Sequence, residues 1–253
     1  ERGVTLQTAG ADQWGNIVSG VDLIRRLEGP TPAGGPRAFG LTAPLLTRAD
    51  GGKFGKTEAG AVWLSHARPS GAPGTSPYGY YQFWLNTADA DVRRYLLTFT
   101  ELPVAEIEAL AARHATAPHE REAQRALARD ATRLLHGDEA MRRAEGAARA
   151  LFEGNVRQLD PDLLTEVFAL APATDHDRAE LGGDGLPLVE LLARTTLAKS
   201  KSEARKHVEA GAVTLNGERA SSLDARITER DLLHGSIALL RRGKKSWHVT
   251  RWR

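Results

Sequence analysis

The hydrophobic pattern of this chain changes character once, and that change limits its fold more than any other feature. Residues 5–46 read as strand, helix, strand. A stretch rich in proline, glycine and serine follows at Pro69–Pro77, and from there to about Ala171 the patterns are helical. Two strands and one helix form part of an α/β unit and cannot make a doubly wound sheet. The expected organisation is a partial Rossmann-like α/β domain over residues 1–68 and an all-α domain over 69–171. A polar, glycine-rich linker over 172–185 and a small α+β module over 186–253 complete it.

Local signals place the elements. Thr5–Ala11 reads as a strand ending in small residues. The next helix carries Ile17, Val21 and Ile24 on one face and closes at Gly29-Pro30. Ala38–Leu46 reads as a buried strand that runs into a glycine-rich loop. In the helical part, Val92, Tyr95, Leu96 and Phe99 share a face, Pro103 opens a second helix, and Gly137 and Gly154 end two more. Trp14, Trp63, Trp84 and the aromatics of Tyr78–Phe83 are expected in cores or domain interfaces. In the last module Ser200 and Glu203 have capping-box spacing before a helix that stops at Gly211. Asn216-Gly217 marks one hairpin turn, and Arg242–Lys245 turns a second hairpin within Ile237–Trp252.

Composition narrows the chemistry. There is no cysteine, which removes disulfides, thiolate metal sites and cysteine nucleophiles and fits a cytoplasmic protein. No stretch approaches the roughly eighteen apolar residues of a membrane span, so no membrane partner is expected. The net charge of +2 hides an asymmetry. Residues 186–253 carry 14 Lys/Arg against 7 Asp/Glu, a net of +7, and residues 1–185 carry 20 against 25, a net of −5. A basic module on an acidic body points to a polyanion. Its candidate contacts are Lys201, Arg205, Lys206, Arg242, Lys244 and Lys245.

Lysine usage is sharper. Only seven lysines stand against 27 arginines, and just two, Lys53 and Lys56, precede position 199. They flank Phe54-Gly55 and are followed by Thr57. An ammonium is a compact, mobile charge suited to a phosphate whose geometry changes during reaction. A P-loop is excluded, because the glycine it needs five positions before Gly55 is Asp50. Asp12 and Gln13 follow a strand end, where ligands of open α/β sheets sit. Asp12 is equally readable as a helix N-cap. The eight histidines show neither metal nor triad spacing and read mostly as surface residues.

Together these motifs resemble one family. Gln7–Ile17 is similar to the substrate-binding motif of bacterial tyrosyl-tRNA synthetases, and Lys53–Thr57 to their form of the class I KMSKS loop. Thr75–Tyr78 and Tyr81–Asn86 resemble the start of the family's helical tRNA-binding domain. Lys199–Gly217 with Arg241–Lys245 resembles its alpha-L RNA-binding module. The resemblance implies activation of tyrosine by ATP, with Mg2+ accompanying the ATP, and transfer of the tyrosyl group to tRNA(Tyr) by a homodimer. It implies that Lys53, Lys56 and Thr57 act on the triphosphate, that Gly10 and Asp12 hold the adenylate ribose, and that Gln13 lies along the substrate. Four departures stand out: Ala9 and Ala11 replace a glycine and a serine, a mild change, Phe54 and Gly55 differ from the class consensus but match the tyrosine enzymes, and Ser65–Pro77 is longer than usual. The fourth is larger, since neither His136-Gly137 nor His234-Gly235 continues as the class I HIGH pattern. The chain is therefore expected to hold the C-terminal portion of such an enzyme and to lack competence alone. Its first strands would show an unpaired edge and a bare apolar face, while the helical and basic parts fold independently. A non-catalytic RNA-binding protein is the alternative, but such a protein has no need of the Lys-x-x-Lys-Thr loop.

Overall fold

Leu6–Gly10 (β1) and Phe39–Ala43 (β2) run parallel, with Leu6 beside Phe39 and Gly10 beside Ala43. A parallel pair needs a crossover, and Trp14–Glu28 (α1) provides it. The coordinates are a computed structural model that describes residues 3–52, 54–57, 60–66, 74–169 and 171–253. They divide into two compact units, residues 1–61 and 62–253.

In the first unit Ile17 anchors α1 on the sheet and is fully buried. A side chain at Gly40 would strike Ile17, so glycine there lets helix and strand approach. The expectation of a buried strand over Ala38–Leu46 is corrected, and the bare apolar face expected of the first strands is present. The strand is shorter, and Leu6, Phe39 and Leu41 are each at least half exposed. The reason is that β1 and β2 pair only with each other among the described residues. Lys56–Thr57 (β3) and Gly60–Ala61 (β4) form a minimal hairpin.

The second unit begins with helices. Pro77–Leu85 (α2) is capped by Ser76, whose hydroxyl accepts from Gly79 N–H at 3.0 Å, with proline at the first helical position. Asp89–Phe99 (α3), Val104–Thr116 (α4) and Glu122–Glu153 (α5) follow. α5 is broken at Gly137, where φ is 84° and ψ is 170°, and ends at left-handed Gly154. Pro161–Val167 (α6) is capped by Asp160. Tyr80, Tyr81 and Trp84 are buried as expected, with Tyr95 and Leu96, but Trp14 and Trp63 are 55% and 44% exposed.

Residues 172–185 are not a spacer. Ala173–His176 (β5) pairs in parallel with Ser246–Trp252 (β11). Leu186–Pro187 (β6) pairs with Arg226–Ile227 (β9). Between these lie Leu188–Ala193 (α7), Lys201–Glu209 (α8), Val213–Leu215 (β7) and Glu218–Ala220 (β8), and Ile237–Arg242 (β10) precedes β11. The main sheet has the order β5-β11-β10-β7-β8. The helical and basic parts also share a core, which corrects the expectation that they fold independently. Ala147, Ala150, Leu163, Leu164 and Phe168 pack with Leu233, Leu239 and Val249. Gly217, in the β7–β8 turn, lies so close to the Gly154 carbonyl that no Cβ fits between them.

Candidate functional site

The first candidate site lies at the end of β1. Gly10 is extended, with φ −67° and ψ 158°, and a Cβ there would lie 2.7 Å from Asp12 Oδ1 and 2.8 Å from Leu45 Cδ2. The missing side chain lets the Asp12 carboxylate fold back over the strand end. Ala11–Gln13 form a single 3-10 turn, and neither it nor α1 has a side-chain cap. The N-cap reading of Asp12 is thereby excluded. Its carboxylate accepts from Gln13 Nε2 at 3.2 Å, and Asn16 Nδ2 donates to Gln13 Oε1 at 2.9 Å. All three residues are exposed.

The loop that carries the two early lysines is hinged by glycine. Gly51 and Gly55 adopt φ of 80° and 78°, a region costly for other residues. Asp50 accepts from Gly52 N–H at 2.9 Å and pairs with Arg48 at 2.7 Å. That turn is held by its own carboxylate rather than arranged as an amide cradle for phosphate, in keeping with the failed P-loop pattern. Lys56 and Thr57 form β3, opposite Ala61 and Gly60. Lys53 lies outside the described residues.

The second candidate site is the basic surface around α8. Ser200 Oγ accepts from Glu203 N–H at 3.2 Å. Glu203 Oε2 reaches back to Lys199 N–H at 2.7 Å, one residue beyond the partner a capping box would use. That contact is the main reason the Glu203 carboxyl titrates below its ordinary range. Ala204 and Val208 are fully buried, which turns Lys201, Arg205 and Lys206 to solvent. Lys201 pairs with Glu190 at 3.2 Å. Among the described residues, Arg205, Lys206, Lys244 and Lys245 have no ion pair, and all four are exposed.

Arg242 differs from the other five. Its Nη1 donates to Leu197 O at 2.7 Å and contacts His207 Nε2 at 3.1 Å, with Glu203 3.6 Å away. Gly243 N–H donates to Ala212 O at 2.8 Å. Arg242 thus fastens the second hairpin beside α8. The helical part contrasts with this. Arg113, Arg129 and Arg143 pair with Glu122, Glu145 and Asp160 at 2.7, 2.5 and 3.0 Å, and Arg93 pairs with Glu108.

Sequence reasoning missed a buried histidine network. His248 is 1% exposed. Its Nδ1 contacts Thr196 Oγ1 at 2.9 Å, and its Nε2 contacts Thr174 Oγ1 at 3.1 Å. Thr174 Oγ1 also contacts His176 Nε2 at 2.7 Å, and His176 stacks on Trp252 at 4.8 Å. Burial, with His176 nearby, pushes His248 down to about 4. His114 is buried as well, so the expectation of surface histidines fails at these positions. Alternation along β11 was the available signal, but a histidine among aromatic and β-branched residues reads as either face.

Residues 2–153 match the family described as tRNA synthetases class I (W and Y), and residues 168–250 match the Tyrosine--tRNA ligase SYY-like C-terminal domain. The chain is 45% identical over 249 residues to the tyrosine–tRNA ligase of Roseiflexus castenholzii, covering 98% of this chain and 56% of that protein. It is 45% identical over 250 residues to the Geobacillus kaustophilus tyrosine–tRNA ligase, covering 99% and 56%. A C-terminally truncated mitochondrial tyrosyl-tRNA synthetase from Coccidioides posadasii aligns at 36% identity with a TM-score of 0.44, over 56% of this chain and 39% of that one. The chain spans about half the length of the curated relatives it matches.

Proposed function

The chain belongs to the class I tRNA synthetases of the tryptophan and tyrosine group, and from that premise we propose that it serves a tyrosine–tRNA ligase. The reaction joins the carboxylate of L-tyrosine to the α-phosphorus of ATP, with loss of pyrophosphate. The tyrosyl group then passes to the 3′ end of tRNA(Tyr). The observation that carries the reading is the strand-end turn: Asp12 is held over side-chain-free Gly10 and caps no helix. That arrangement suits ribose hydroxyls, which donate to a carboxylate. Gln13 would lie along the substrate.

Lys53 and Lys56, supported by Thr57, would meet the charge that develops on the leaving triphosphate, and magnesium would enter with ATP. Gly51 before the lysine pair and Gly55 within it would let that loop adjust as charge moves to pyrophosphate. Catalysis of this kind is positioning and electrostatics rather than covalent chemistry. Lys201, Arg205, Lys206, Lys244 and Lys245 would lie against tRNA phosphates, and Arg242 would hold their surface together. The unpaired state of four of these cations supports that role, because a pairing acid would have to be displaced first. A homodimer in the cytoplasm is the expected working state. Among the described residues no helix is long and apolar enough to cross a membrane.

The test is exchange of labelled pyrophosphate into ATP, with and without tyrosine, followed by charging of tRNA(Tyr), on the protein as its cell makes it. Tyrosine-dependent exchange is expected. Exchange driven by another amino acid, or by none, overturns the proposal.

A further inference from the structure

Resting on that reading, we propose that Asn16 is a positioning residue for the ribose-binding carboxylate and acts through Gln13. The argument is one of polarity. Asn16 follows Gln13 by three residues, the spacing that brings side chains together at the start of a helix. Its Nδ2 donates to Gln13 Oε1 at 2.9 Å. With that oxygen engaged, the end of the Gln13 amide left to face Asp12 is Nε2, and it donates to Asp12 Oδ2 at 3.2 Å. An ionised carboxylate only accepts, so the opposite setting of the amide would place oxygen against oxygen. Asp12 thereby sets the orientation of the Gln13 amide, and Asn16 Nδ2 braces it by donating to the oxygen left over.

The consequence falls on Asp12 Oδ1. With Oδ2 engaged, Oδ1 lies over Gly10, where a Cβ would be 2.7 Å away, and it has no protein partner among the described residues. It is the atom free to accept from a ligand hydroxyl. Asp12, Gln13 and Asn16 are all exposed, so packing does not fix them. The chain of two hydrogen bonds orders them before a ligand arrives, which removes part of the entropic cost of binding.

The experiment measures tyrosine-dependent pyrophosphate exchange by the wild-type protein, Asn16→Ala and Asn16→Asp, each with ATP and with 2′,3′-dideoxy-ATP. The analogue keeps the reacting phosphates and lacks the hydroxyls that Asp12 would hold. Asn16→Ala is expected to lose about tenfold in kcat/KM with ATP, the scale of one hydrogen bond to a charged group, and less than twofold with the analogue. Asn16→Asp is expected to fall below Asn16→Ala with ATP, because a carboxylate at position 16 offers no donor to Gln13 Oε1 and competes with Asp12 for Gln13 Nε2. Equal losses with both nucleotides, no loss with either, or an aspartate variant better than alanine would overturn the inference while leaving the ligase reading intact. Absence of tyrosine-dependent exchange by the wild-type protein as its cell makes it overturns the ligase reading and this inference with it.

Discussion

Acidification should destabilise the second unit through a single buried ring. His248 titrates at about 4 in the folded protein instead of the ordinary 6.5. An unfolded chain takes up this proton near 6.5, and the folded chain takes it up only near 4. Between those values the unfolded state binds more protons, so stability falls as pH falls. The contribution is complete above 6.5 and is lost progressively toward 4. Each tenfold in protonation corresponds to about 1.4 kcal/mol, so the whole window amounts to about 3 kcal/mol. His176, also pushed down by burial, adds in the same direction. The perturbation is His248→Gln, which keeps an acceptor for Thr196 and a donor for Thr174 but does not titrate. The assay is urea unfolding from pH 7.5 to pH 4.5, followed by tryptophan fluorescence, since Trp252 stacks on His176. The variant is expected to start less stable at pH 7.5, to lose less on acidification, and to approach the wild type near pH 4.5. Carboxylates shared by both proteins cancel in the difference. Identical pH dependence of wild type and variant would refute the reasoning.

Other outcomes follow from the two sites and the shared core. Lys56→Ala is expected to slow adenylate formation by about 100-fold, the effect of removing one preorganised charge, with little change in tyrosine binding. Lys56→Arg should be impaired too, and unchanged single-turnover rates in both would exclude the role. Binding of tRNA is expected to weaken with salt at a log–log slope near −3 to −4 for about four neutralised phosphates. Arg205→Ala and Lys206→Ala should each flatten that slope by about 1, and a salt-independent affinity would count against the basic surface. Gly217→Ala places a side chain against the Gly154 carbonyl at a residue with φ of 90°. It should cost about 1–3 kcal/mol in chemical unfolding, and a neutral effect would show that the two parts do not press together there.

The features legible in the sequence are those whose causes lie within a few residues. Gly137 and Gly154 interrupt and end α5 because each holds a positive φ at little cost. Asn216-Gly217 turns β7 into β8 with both residues at positive φ, as a two-residue hairpin requires. Ser200 caps α8, and Ala204 and Val208, four apart, bury one of its faces. The left-handed glycines Gly51 and Gly55 of the lysine loop and the strand-end turn at Gly10 were visible in the same way, through residue types that backbone geometry demands locally.

Tertiary structure decided whatever depends on a distant neighbour. Ala-Thr-Asp-His at 173–176 has no apolar alternation, yet it forms an edge strand because β11, more than seventy residues later, offers its free backbone groups in parallel register. His248 is buried because Thr174 and Thr196, on either side of it, satisfy both ring nitrogens. Arg242 resembles its basic neighbours in sequence but faces a carbonyl and a histidine across the fold. The strand at Phe39–Ala43 has the apolar content of a buried strand and remains exposed, because composition records what a segment would bury and not whether anything covers it.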